Sequence, residues 1–395
     1  MKRVNFFNVI FLFVLVLVAF GSKSSNRTDK TVEAVNVVEI VEPAETSKSS
    51  DTKIQVAILL DTSNSMDGLI EQAKSRLWNI VNTLTTLKFK GESPQIEISL
   101  YEYGNLGIKD DNWIRQVVPF TTDLDVISGR LFALTTYGGD EYCGAVIAHA
   151  IKKLDWGQRS SDMKLIYIAG NEPFDQGHVS YRSAVTEALN NNIFVNTIHC
   201  GSTREGIDGH WRDAAIIGKG KYFNIDHNAK VRFIETPYDD KISMYNIRLN
   251  DTYIAYGEIG QVRKEYQAAQ DINAESVSAS NKTERIVSKA RSVYKNESWD
   301  LVDMVKQDSR ALEKINNSNL PKELKGKSIA EVQAFINEKF KEREAIQREI
   351  NELAAKRQEY IDNEMKNTNN DGDDLGKAIA ESIMVFAAQK GYDVE

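Results

Sequence analysis

The feature that most constrains this chain is a regular alternation of strand-like and helix-like segments that begins at Ile54. Residues 54–60 (Ile-Gln-Val-Ala-Ile-Leu-Leu) are an almost unbroken apolar run, the pattern of a strand covered on both faces of a parallel sheet. Residues 69–87 then place Leu69, Ile70, Ala73, Leu77, Ile80, Val81 and Leu84 at helical spacing. Residues 96–103 alternate with period two, and 114–120 read as a short antiparallel edge partner, a position that tolerates Pro119. Helical spacing returns at 126–134, 144–154, 181–191 and 211–217, and further strands are predicted at 163–169, 193–199 and 222–225. Such a sequence predicts an α/β fold, a doubly wound, mostly parallel sheet with helices on both faces. Ligands of such sheets bind in the crevice beyond the carboxyl ends of the strands. Three loops fall there, 61–65, 138–144 and 170–174.

The first of these loops carries chemistry. Asp61-x-Ser63-x-Ser65 follows a buried strand and precedes an amphipathic helix, so one carboxylate and two hydroxyls offer hard oxygen donors to a divalent ion. Asp and Ser after a strand also make ordinary helix N-caps. In its motif, and in the strand–helix order around it, the region resembles the von Willebrand factor A family, whose metal-ion-dependent adhesion site opens with this loop. The resemblance implies a Rossmann-like fold and a binding module rather than an enzyme, with Mg²⁺ or Ca²⁺ as the expected ion. It carries over Asp61, Ser63 and Ser65 directly. The family's second loop supplies a threonine, and here Gly138-Gly-Asp-Glu-Tyr-Cys-Gly144 puts Asp140 or Glu141 at that position, depending on the alignment. A carboxylate there would bind the ion but weaken its pull on an acidic partner; either residue could instead serve the following helix N-terminus. The family's third loop supplies an aspartate, where this chain has Gly170, followed by Asn171 and Glu172.

Cys143 lies in the second loop and Cys200 ends a strand at the same edge. In an oxidising compartment the pair is expected to form a disulfide, with two buried thiols as the other reading. A zinc site from His199, Cys200, Asp208 and His210 would make an exported hydrolase, but the spacing matches no compact zinc pattern. No nucleophile elbow, zincin motif or phosphate loop is present, and the reading is that the protein is not an enzyme.

Lys2 and Arg3 precede an apolar run from Phe6 to Phe20 with small residues at Ala19 and Gly21. This reads as a signal peptide over 1–21, or else as an uncleaved anchor, which would then be the only membrane contact. Residues 22–52 are polar and read as a linker. Export to the periplasm or cell envelope follows. The net charge of −8 gives no global field for nucleic acid or anionic lipid. The α/β region is expected over 53–256, its last helix packing back onto the sheet. A helical region is expected over 257–395, with breaks at 281–283 and 318–321. Its longest helix, 328–367, has a narrow apolar stripe interrupted by Arg343 and Arg357, suited to a hairpin or a partner helix. The function expected is an envelope binding, adhesion or scaffolding protein that engages a protein ligand through the three loops. The alternative is a structural or assembly protein with a degenerate metal site that acts through its helical tail.

Overall fold

The computed structural model describes residues 52–226, 233–367 and 375–394. The expected signal segment and the linker up to residue 51 lie outside them. No described helix is long and apolar enough to cross a membrane.

The strands are β1 (Lys53–Asp61), β2 (Leu87–Lys88), β3 (Gln95–Tyr103), β4 (Ile114–Thr121), β5 (Met163–Gly170), β6 (Ile193–Cys200), β7 (Lys219–Ile225) and β8 (Asp393–Val394). Six of them form one sheet in the order β4-β3-β1-β5-β6-β7. All its pairings are parallel except β3 with β4, where the antiparallel edge falls as the sequence predicts. The side-chain alternation of a strand divides β1 between two cores. Val56 and Leu60 enter one apolar cluster, and Ala57 and Leu59 enter the other.

The second cluster is covered by α3 (Cys143–Lys153), α4 (Tyr181–Asn190) and α6 (Trp211–Ile217), with α5 (Thr203–Asp208) beside them. Val146, Ile147, Ala150, Val185, Ala188 and Trp211 supply the helix side of that core. The first cluster is covered by α1 (Asp67–Thr85) and α2 (Leu124–Phe132), and then by helices from the far end of the chain. These are α7 (Asp239–Asp251), α8 (Gly260–Val277), α9 (Ala279–Lys289), α12 (Ile329–Asn367) and α13 (Leu375–Lys390), whereas α10 (Leu301–Gln307) and α11 (Ala311–Lys314) build a separate cluster with Leu324 and the start of α12 at Val332 and Ile336.

Five of these late helices share a core with the sheet. Leu249 of α7, Ala274 of α8, Ile286 of α9, Ile350 of α12 and Ile383 of α13 all enter the cluster that holds Val56 and Leu100. Helix α7 makes its main contacts with α9 and α12, not with the sheet as expected. Helix α13 does return to the strands. Ser382 Oγ lies 2.7 Å from Tyr167 Oη on β5, and Phe386 stacks on Phe194 of β6 with centroids 4.9 Å apart. Beyond it, Tyr392 Oη donates to the Ser161 carbonyl (2.9 Å), and β8 pairs antiparallel with β2. Burial of side chains like Ile379, Ile383 and Phe386 contributes about 1.5–3 kcal/mol each.

Two details of the helical region differ from the sequence reading. Residues 281–283, read as a break, lie inside α9, because Ser278 caps the helix by accepting from Asn281 N at 2.9 Å. In α12 the arginines taken to interrupt an apolar seam are themselves buried. Arg343 donates to Asp300 and Asp303, each at 2.7 Å, and to the Thr252 carbonyl at 2.6 Å. Arg357 pairs with Asp239 at 2.8 Å and with Glu284. One continuous helix thus finds its partners within the chain and forms no hairpin.

Candidate metal centre

Three strand ends meet where the order of the sheet reverses. Asp61 closes β1 in register with Tyr103 at the end of β3, and Leu60 pairs with Ala169, next to Gly170 at the end of β5. The Asp61 side chain is fully buried and turns back on its own loop, where Ser63 N donates to Oδ1 at 2.7 Å. The same turn brings the Ser63 and Ser65 hydroxyls to 3.2 Å. The second loop is hung over the first by its backbone: Tyr137 N donates to the Thr62 carbonyl (3.0 Å), and Gly138 N to Asn64 Oδ1 (2.8 Å). That places Glu141 over Asp61 and leaves it 4% exposed. Gly104 marks the meeting point. Its φ is +75°, and a Cβ on it would stand 2.8 Å from Glu141 Cγ and 3.0 Å from Asp61 Oδ1. Only glycine accepts both the backbone and the two acids.

Asp61 Oδ2 and Glu141 Oε2 are buried and have no hydrogen-bond partner, and no lysine, arginine or histidine pairs with either carboxyl. Burial pushes the Asp61 carboxyl above the usual carboxylate range, against the opposing pull of the neighbouring Glu141 carboxyl and of Ser63. Burial pushes Glu141 up further, and the neighbouring Asp61 charge adds to the rise. Holding two such carboxylates ionised without a cation costs several kcal/mol. Among the described residues no three His, Cys, Asp or Glu side chains gather as a metal-binding group. The donor set here is two carboxylates and two hydroxyls. All are hard oxygens, the kind Mg²⁺ and Ca²⁺ take, and two of the oxygens lack any other partner. The residues present therefore fit a divalent ion, which Asp61, Ser63, Ser65 and Glu141 would hold.

The two alignments of the second loop are separated by burial. Asp140 is exposed and accepts a hydrogen bond from Tyr142 Oη at 3.2 Å, away from Asp61, so Glu141 is the inward carboxylate. The third loop shows why no side chain stands at 170. A Cβ on Gly170 would lie 2.6 Å from Tyr103 Oη and 3.2 Å from Asp61 Oδ2. Tyr103 Oη occupies that space and donates to the Ala169 carbonyl at 2.9 Å. Asn171 reaches the first loop instead, its Nδ2 donating to Ser65 Oγ at 3.1 Å. Gln176 ties the second loop to the third: its Oε1 accepts from Glu141 N (3.3 Å) and its Nε2 donates to Glu172 Oε2 (3.1 Å). Trp211 Nε1 braces the third loop from below by donating to the Glu172 carbonyl at 2.8 Å. Sequence reasoning missed Tyr103 and Gln176. The one available signal for Tyr103 was an aromatic ending β3 opposite a strand that ends in glycine.

One expectation is corrected. Cys143 and Cys200 are free and buried, with no disulfide between them. Cys143 belongs to the core with Leu59 and Tyr103, and Cys200 to the core with Leu60 and Ile198, so the sheet lies between them. The zinc group, against which the spacing already argued, does not assemble among the described residues. His199 lies 3.1 Å from Asn224 Oδ1 and 3.3 Å from the Asn171 carbonyl, whereas His210 stacks on Tyr181 and faces Asp175 at 3.7 Å.

The strand order, the helices on both faces and the Asp-x-Ser-x-Ser turn at the central strand end give residues 53–225 the von Willebrand factor A-like fold. Among solved structures the chain is similar to the conserved hypothetical protein BatB from Bacteroides thetaiotaomicron, with 18% identity over 44% of this chain and 90% of that one, at a TM-score of 0.35. It is similar also to the SpRpn10 VWA domain, with 18% identity over 43% of this chain and 87% of that one, at a TM-score of 0.34. A third is proximal thread matrix protein 1 from the mussel byssus with a zinc-occupied MIDAS motif, with 12% identity over 44% and 42% of the two chains, at a TM-score of 0.34. No protein-family model matches the chain, and no curated protein does.

Proposed function

We propose that this protein is a binding module of the bacterial envelope that engages a protein ligand through a divalent cation at the strand ends. The observation that carries this reading is the pair of buried, partnerless oxygens, Asp61 Oδ2 and Glu141 Oε2, set beside two serine hydroxyls in the crevice where the sheet order reverses. A bound Mg²⁺ or Ca²⁺ would supply an open coordination position for an oxygen of the partner. The chain's own part is to hold that position in place. Backbone bonds from the second loop fix Glu141 over Asp61, Asn171 orients Ser65, and the core beneath keeps solvent from the Asp61 side. The role proposed is binding, not catalysis. Export rests on the basic and apolar segment that opens the sequence.

The alternative, an assembly protein working through a helical tail, is weakened by the burial of the α12 stripe within the chain, where Val332, Ile336, Ile346 and Ile350 are all covered. Calorimetry with Mg²⁺, Ca²⁺ and Mn²⁺ on the full chain tests the proposal, with a Ser63→Ala/Ser65→Ala double variant as control. Binding in the micromolar to millimolar range that disappears in the control is expected. No heat from the unaltered protein would overturn the cation-dependent reading.

A further inference from the structure

The acids around the site point to the kind of oxygen it accepts. A divalent ion held by Asp61 and Glu141 is already balanced by two carboxylates, and no cationic side chain pairs with either of them. A third carboxylate stands at the rim: Glu172 is exposed and is held toward Glu141 by the two hydrogen bonds of Gln176. Next to the site the rim turns apolar. Leu106 and Tyr137 are 51% and 58% exposed, and Leu106 N bonds the Tyr137 carbonyl at 3.1 Å. A carboxylate brought to the ion would add a negative charge to a balanced, partly desolvated centre, beside Glu172. A neutral oxygen would add none.

We propose that Glu141, assisted by Glu172, makes this a site for a neutral oxygen donor, the amide carbonyl of a protein partner, and turns carboxylates away. Leu106 and Tyr137 then meet the apolar surroundings of that carbonyl. The inference rests on the cation reading above and adds the chemical class of the ligand.

Acetamide and acetate form a matched pair of probes, equal in shape and different in charge. The full chain is loaded with Mn²⁺, and water-proton relaxation reads the loss of exchangeable water from the ion as each probe is added. Each titration is normalised to the same probe on aqueous Mn²⁺. Acetate is expected to bind the protein-held ion about tenfold more weakly than the aqueous ion, with acetamide not weakened. Glu141→Gln should recover most of that tenfold for acetate. Glu172→Gln, which leaves every donor to the ion in place, should recover about two- to threefold. The inference is overturned if acetate displaces water from the unaltered protein as readily as from aqueous Mn²⁺, or if neither variant shifts the ratio of acetate to acetamide. Absence of Mn²⁺ binding, visible before either probe is added, would remove the cation reading and this inference with it.

Discussion

Two of the regions that bury carboxylates treat them in opposite ways. In the helical layer each buried acid is met by a cation from another helix. Arg285, fully buried on α9, pairs with Asp125 of α2 at 2.7 Å and with Asp271 of α8 at 2.6 Å, and Lys289 completes the group at 2.9 Å from Asp271. Burial alone would raise the Asp271 carboxyl, but Lys289 and Arg285 outweigh it and hold it far below the usual range. At the strand ends Asp61 and Glu141 face each other with no such partner, and both are pushed the other way. The contrast teaches that the chain can neutralise a buried acid with a cation of its own when rigidity is all that is wanted. Where it leaves two acids open, the counter-charge comes from outside and can be exchanged.

The largest effect is expected in the helical layer. Arg285→Met strands Asp125 and Asp271 and should cost about 3–5 kcal/mol in urea unfolding at neutral pH, with no recovery on adding Mg²⁺. A loss below about 1 kcal/mol, the scale of an exposed pair, would break the comparison.

The strand ends should answer to pH and to cations. Both carboxyls bind protons more tightly folded than unfolded, so without divalent ions the folded state should lose stability as pH rises above the ordinary carboxylate range. Mg²⁺ at about a hundred times its dissociation constant should restore about 2.7 kcal/mol at neutral pH. Glu141→Gln should flatten the metal-free pH profile and reduce the Mg²⁺ effect, with Asp61, Ser63 and Ser65 left to hold the ion. A flat profile in the unaltered protein would mean that the two acids do not share one buried space.

The smallest effect concerns the third loop. Tyr103→Phe removes the hydrogen bond to Ala169 and should cost about 0.5–1.5 kcal/mol by thermal unfolding. Gly170→Asp in the presence of Tyr103 should cost more, about 1–3 kcal/mol, from the 2.6 Å encounter with the hydroxyl. In the Tyr103→Phe background the same substitution should be better tolerated and should tighten Mg²⁺ binding. Equal costs in both backgrounds would show that Tyr103 is not what excludes a side chain at 170.

What could be read from the sequence divides along the range of the interactions involved. The sheet was legible because β1 and β5 are continuous apolar runs and because α1 repeats its apolar positions at helical spacing, both local properties. The Asp61, Ser63 and Ser65 turn was legible for the same reason. Arg343 and Arg357 were misread as breaks in a stripe because their acids, Asp300 and Asp239, lie 43 and 118 residues away, and a charge in a helical pattern looks solvated until its partner is known. The choice between Asp140 and Glu141 needed the depth of the second loop, which Gly104 controls from another strand. The cysteine pair failed on facing: residues at one edge of a sheet can still lie on opposite sides of it.

The return of α13 bears on how the chain reaches its folded state. Its side chains cover strands laid down some two hundred residues earlier, and Tyr392 Oη lies 3.2 Å from the carbonyl of Lys53, the first residue of β1. Contacts of such long sequence separation must wait until the intervening chain has found its place, and they slow the final collapse. Until residues 379–392 arrive, one face of the central strands stays open to solvent, and a chain stopped at 374 would be left with an unfinished core.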